Sequence, residues 1–134
     1  MIVIPDSGGI QLLYDLLEQA VTVYHLFTNN VNLTQSTALT DFVEASWPAY
    51  KPATVTSWAP ALTVAGRAVA QADPTSWTRG VGGTAKMVYG YYVTDTVGGP
   101  LIWAEVRPQG PLRMQFPSDQ VMILPQLTLR ADSA

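Results

Sequence analysis

Apolar residues recur along the chain with two different periods, and the change falls near Val21. From Ile10 to Ala20 the spacing is three and four, with Ile10, Leu13, Tyr14, Leu17 and Ala20 on one side and Gln11, Asp15 and Glu18 on the other. That pattern predicts one amphipathic helix over 7–20, capped by Ser7. Val21-Thr-Val-Tyr-His-Leu-Phe27 then alternates and is rich in β-branched and aromatic residues, which predicts a strand. Thr28-Asn29-Asn30 closes it with side chains that bond nearby backbone.

From Asn32 to Pro60 the pattern is weaker. Leu39, Phe42 and Val43 fall on one side of a short helix expected within 37–45, and Trp47-Pro48, Lys51-Pro52 and Ala59-Pro60 then forbid a long element. Residues 61–71 have strand character and end at Asp73-Pro74; a further strand starts at Trp77 and stops before Gly82-Gly83. Between 87 and 106 lies the strongest hairpin signal: Met87, Tyr89, Tyr91 and Val93 share one face, Val88, Gly90, Tyr92 and Thr94 the other, and Asp95 to Gly99 reverses the chain into Leu101–Val106. Both faces are substantially apolar, so the rings of Tyr89, Tyr91 and Trp103 are expected in a core rather than on a stacking platform. Gly90 is expected to leave room for a ring packed across it. The closing strand, Gln120–Arg130, contains Pro125, which places it at a sheet edge or a bulge.

Short strands separated by turn signals predict a mainly β fold, an antiparallel sandwich or partly open barrel with one N-terminal α-helix. With 134 residues the expected organisation is a single domain, with an arm at 1–6, the helix at 7–20 and a β-rich body at 21–130.

Composition narrows the chemistry. There is no cysteine, hence no disulfide framework and no thiolate. A net charge of −3, scattered singly, offers no basic stripe for nucleic acid. Charged residues make up only 13%, against about 25% in ordinary soluble domains, which argues that neighbours cover part of the surface. The start, MIVIPDSGG, lacks a basic n-region and meets Pro5 at once, so no secretory leader and a cytoplasmic synthesis are expected. No apolar run is long enough to span a bilayer as a helix, so a soluble protein is expected, without membrane partners.

Candidate catalytic groups are sparse. His25 is the sole histidine, lies mid-strand, and has no serine or cysteine near it in sequence, so a packed or partner-facing imidazole is expected. Asp41 and Glu44 stand three apart on the expected short helix, a spacing that more often marks a solvated surface than a cation or catalytic site. Gly80-Val-Gly-Gly83 lacks the Lys-Ser/Thr of a phosphate loop and reads as a flexible loop. No catalytic, cofactor or metal residues are therefore assigned, and an enzyme is the weakest reading. Recognition by shape is left: Trp47, Tyr50, Trp58 and Trp77 lie in the Pro/Gly-rich middle, where they either face a partner or cap the core. Ile2, Val3 and Ile4 form an apolar arm that a neighbouring subunit is expected to cover.

HLFTNN at 25–30, LTDFVEASWPAY at 39–50, VYGYYVTD at 88–95 and LIWAE at 101–105, in this order and followed by a strand ending LTLR, resemble a family of small structural proteins of tailed bacteriophages. The resemblance covers nearly the whole chain except 51–87. It implies a virion protein without catalytic residues, best matched by a capsid cement or decoration protein. Such a protein sits, often as a homotrimer, on the outer shell built by the major capsid protein and ties neighbouring capsomers together. A tail- or fibre-associated module that grips a host glycan or tail protein is the competing reading.

Overall fold

A computed structural model of the chain describes residue 15 and residues 21–56, 58–59, 62–64, 67–96 and 98–129. Its strands are β1 (Thr22–Phe27), β2 (Ala53–Val55), β3 (Leu62–Val64), β4 (Arg67–Gln71), β5 (Thr75–Thr78), β6 (Lys86–Val88), β7 (Gly90–Thr94), β8 (Leu101–Val106), β9 (Leu112–Met114), β10 (Gln120–Ile123) and β11 (Gln126–Leu129). The described residues are mainly β, in antiparallel sheets, and none of these sheets closes into a barrel. Of the expected helix at 7–20 only Asp15 falls within the described residues, and the arm with Ile2, Val3 and Ile4 lies outside them.

The chain forms two compact units. The larger, Thr22–Thr54 with Ser76–Met122, is built on a sheet of order β2-β1-β7-β8. All six residues of β1 are buried, which fits a strand covered on both faces. Its register with β7 pairs Tyr24 with Val93, His25 with Tyr92, Leu26 with Tyr91 and Phe27 with Gly90. Directly opposed residues share a face, so Tyr24, Leu26, Tyr91, Val93 and Trp103 form one apolar layer. Tyr24 stacks on Tyr91 with centroids 5.3 Å apart and meets Trp103 edge-on at 6.0 Å. On the other face Phe27, Phe42 and Tyr92 form a cluster, with Val31, Leu33, Leu101 and Ala104 packed against it.

Gly90 is dictated by space. A Cβ there would lie 2.1 Å from the Glu105 carbonyl oxygen and 2.8 Å from the Phe27 ring. The hairpin β7–β8 has the pairing anticipated from the sequence, with a register shift at Val93/Thr94. The strand expected over 87–94 changes partner midway: β6 pairs with β9, and from Tyr89 onward the chain pairs with β1 and β8. The short helix expected within 37–45 contracts to a single 3-10 turn at Leu39–Asp41. Backbone groups that would have continued it are bonded to β1 and the residue after it, Val43 O to Thr28 N at 2.8 Å and Ala45 N to Leu26 O at 2.9 Å. Asp41 and Glu44 therefore share no helix face.

The smaller unit includes Val55–Thr75 and Ile123–Ala134 and holds a sheet of order β11-β4-β3. The strand expected over 61–71 folds back on itself, pairing Val64 with Arg67 and Leu62 with Val69. The closing strand is likewise two strands, β10 beside β5 and β11 beside β4. Pro125 separates them: it has no N–H for a ladder, and its carbonyl accepts the Ala72 N–H at 3.0 Å.

Candidate functional site

Three loops of the larger unit meet around Arg79. Its side chain is 2% exposed, and burying a guanidinium costs several kcal/mol unless its donors are met. Nη1 donates to Gly82 O at 2.5 Å and Nη2 to Thr84 O at 2.7 Å, while Nε is buried without a partner. The fork closes the loop 79–84 around its own arginine. Gly80, Gly82 and Gly83 have φ of +67°, +94° and +75°, a left-handed backbone that side chains rarely adopt. Space matters as well, because a Cβ on Gly80 would come within 3.1 Å of Ala49 and one on Gly83 within 3.1 Å of Pro48.

The loop 115–119 is equally defined. The Asp119 carboxylate accepts the N–H groups of Phe116 at 2.6 Å and Gln115 at 2.7 Å, which hold its carboxyl below the usual range. Backbone bonds from Arg79 N to Asp119 O at 2.8 Å and from Gly80 N to Pro117 O at 3.0 Å join it to the first loop. The consequence is on the surface: Val81 is 82% exposed and Phe116 60% exposed, on neighbouring loops. Pro48, Ala49 and Pro117 beside them are exposed too, and Asp119 is the one ionisable residue within 80–85 and 114–119. This is an apolar tip without cationic side chains, on a backbone fixed from beneath. Gly80-Val-Gly-Gly83 is thus not the loose loop its glycines predicted, since the Arg79 fork ties it down.

A part-buried polar chain runs from β1 to the segment 44–50, with Glu44 34% exposed. His25 is 2% exposed; its Nδ1 is 2.6 Å from Glu44 Oε2 and its Nε2 2.9 Å from Thr94 Oγ1. Tyr50 Oη donates to the same Glu44 oxygen at 2.7 Å and accepts the Leu26 N–H at 3.1 Å. The Tyr92 ring stacks on the imidazole at 4.6 Å. Burial, then the Glu44 charge, pushes the Tyr92 phenol up to about 12; burial, then the hydrogen bond to Glu44, raises Tyr50 as well. Among the described residues no group of three His, Cys, Asp or Glu side chains is placed to hold a metal ion. No described helix is long and apolar enough to cross a membrane.

The tryptophans that sequence singled out are buried: Trp47 at 3%, Trp58 at 8% and Trp77 at 5% exposure. Trp47 donates from its ring nitrogen to Thr78 O and Trp77 from its own to Lys51 O, so both tie loop to strand and offer no open face. Trp58 borders a shallow cleft of ≈ 350 Å³ with Gln71 and Asp73 in the smaller unit. Tyr50 is half-buried in the polar chain. Sequence reasoning passed over Val81, Phe116 and Arg79. The one signal available was an isolated arginine directly before a glycine-rich run. No known protein family, no characterised protein and no solved structure matches the chain.

Proposed function

We propose that this chain is a structural protein of a bacteriophage virion, a cement or decoration protein that docks on the outer surface of the major capsid protein shell through the Val81/Phe116 tip. The observation that carries the reading is the tip itself: apolar side chains held out in solvent on loops that a buried arginine makes rigid. Large exposed apolar groups with a preorganised backbone mark sites of protein contact. Burying Val81 and Phe116 would contribute about 1.5–3 kcal/mol each, weak for one copy and sufficient when many copies bind a lattice. The tip carries no Lys or Arg, its one charge being the Asp119 carboxylate, which favours a protein socket over an anionic membrane, since the latter attracts clustered Lys and Arg. The glycan-binding alternative asked for exposed tryptophan faces, and Trp58 beside its cleft leaves 8% of its surface open.

The test is occupancy on particles. Wild-type chain should be present in hundreds of copies per purified virion, and Val81→Asp with Phe116→Ser should abolish rebinding to stripped capsids while leaving the circular dichroism spectrum unchanged. A handful of copies per particle would point to the tail, and full rebinding by the double variant would remove the tip from the interface.

A further inference from the structure

A sheet has two edges, and those of the sheet β2-β1-β7-β8 are unlike. β2 is three residues long and follows Pro52, so this edge is short and begins behind a residue without an N–H. β8 runs for six residues, contains no lysine or proline, and carries Glu105 as its one charge. Natural sheets guard a free edge with such residues because an open ladder accepts another strand. The register shift at Val93/Thr94 falls at the start of β8, which leaves Trp103–Val106 as its regular edge. One hydrogen bond sets the direction of the open groups: the Arg107 N–H donates to Tyr89 O at 2.8 Å, toward β7. Successive residues of a strand turn their backbone groups to opposite sides, so those of Trp103 and Glu105 also face β7 and those of Ala104 and Val106 face away. Among the described residues neither Ala104 nor Val106 has a backbone partner on that side. Beside this edge, in the same unit, a cleft of ≈ 300 Å³ lies between Leu101–Ala104 and the loop residues Leu33, Thr34, Gln35 and Thr37. Leu33, Leu101 and Ala104 pack on the face of Tyr92, and Ile102 at 47% and Val106 at 38% exposure give the edge an apolar border.

We propose that β8 pairs antiparallel with β8 of a second copy, about a two-fold axis through Ala104. The strand's own pattern selects this register. Centred on Ala104, Ile102 meets Val106 of the second copy and Trp103 meets its Glu105, each contact occurring twice. Centred on Glu105, two carboxylates would stand directly opposite, which is destabilising. Centred on Val106, Ala104 would face Pro108, which has no N–H to give. Directly opposed residues share a face, so Val106 of the second copy arrives on the face of Ala104, where the cleft presents Leu33 and Leu101. The two-fold fills both clefts at once. A contact of this size is well below the roughly 800 Å² per partner of a stable pairwise interface, so the pair is weak in dilute solution and forms where copies are crowded. On a capsid that holds many copies it joins neighbours side by side; only this last consequence rests on the docking reading.

Amide hydrogen exchange, read residue by residue by NMR on the free full chain, tests the pairing without any capsid. Raising the concentration from about 20 µM to about 1 mM should slow exchange at Ala104 and Val106 by about tenfold, while Glu105 and Arg107, which face β7, stay slow throughout. Val106→Lys puts a charge on the exposed edge and should remove the concentration dependence while leaving the circular dichroism spectrum unchanged. If that variant does not fold, the wild-type dilution series decides alone. Exchange at Ala104 and Val106 that ignores concentration overturns the proposal in either form: fast throughout means an edge that stays open, and slow throughout means one covered within the chain. Concentration-dependent protection that persists in Val106→Lys, or that is lost in Val3→Asp, gives the edge to another segment and overturns it too. Failure of the docking reading is separate, since it appears as full rebinding to stripped capsids by the Val81 and Phe116 variants.

Discussion

Arg79 works through the shape of its head group. One planar fork reaches Gly82 O and Thr84 O together, whereas a lysine ammonium is a point donor on a flexible stem. Arg79→Lys should keep the charge, lose one of these charged hydrogen bonds and destabilise the fold by about 2 kcal/mol. Hydrogen exchange should speed up at 82–84 and stay slow in β7 and β8; unchanged exchange in that loop would mean the fork does not hold it. At this scale the sequence was least legible. Glycine density announced a loop at 80–83, and glycines alone predict looseness. What stiffens the loop is the depth of one arginine, and depth is set by tertiary packing that no local pattern encodes. The display of Val81 follows from the same unseen support. Trp47 and Trp77 left two readings open because they sit among prolines, and it is tertiary packing that buries them and gives each indole N–H a backbone carbonyl.

Among the elements, β1 and the β7–β8 hairpin were readable because both faces of each are apolar and one tight reversal joins the pair. Gly90 was readable for a stated reason, and the close approach of the Phe27 ring and the Glu105 carbonyl is that reason. Gly90→Ala should accordingly cost about 3 kcal/mol, at the upper end of overpacking penalties because one of the clashing atoms is backbone. Thermal melting checks this, and a melting temperature within a degree of wild type would show that the sheet yields more easily than its packing implies. Breaks within long strands were not readable. Residues 86–94 keep strand character throughout, yet the partner changes at Tyr89, and 62–71 contains a reversal between Val64 and Arg67. Propensity reports that a residue suits a pleated surface; it does not report which sheet supplies that surface. Pro125 was the informative exception, because the missing N–H has a direct consequence for any ladder through it.

For the molecule as a whole, valence decides whether the docking contact proposed for so small a tip can function. The tip offers a few apolar side chains, well short of the roughly 800 Å² per partner of a stable pairwise interface, so a single copy on a single site would dissociate readily. Joining copies changes the arithmetic, since the second and third contacts become intramolecular and the apparent affinity rises by about 10²–10⁴ when the geometry allows all to engage. A homotrimer on a symmetric capsid site meets that condition. Ile2, Val3 and Ile4 are the sequence's candidates for holding it together: Pro5 keeps any helix beginning at Ser7 from running back through them, and three aliphatic side chains buried against a sister chain contribute a few kcal/mol, about 25 cal/mol per Å², before the entropy of ordering the arm is subtracted. Native mass spectrometry should therefore find three chains in the wild-type particle component, and deletion of residues 1–5 should yield folded monomers whose capsid occupancy falls by at least tenfold while their tip remains intact. Val81→Asp should do the reverse, leaving the trimer whole and the capsid bare. A truncated chain that still trimerises would exclude the arm as the joint, and one that unfolds would assign Ile2, Val3 and Ile4 to the chain's own core.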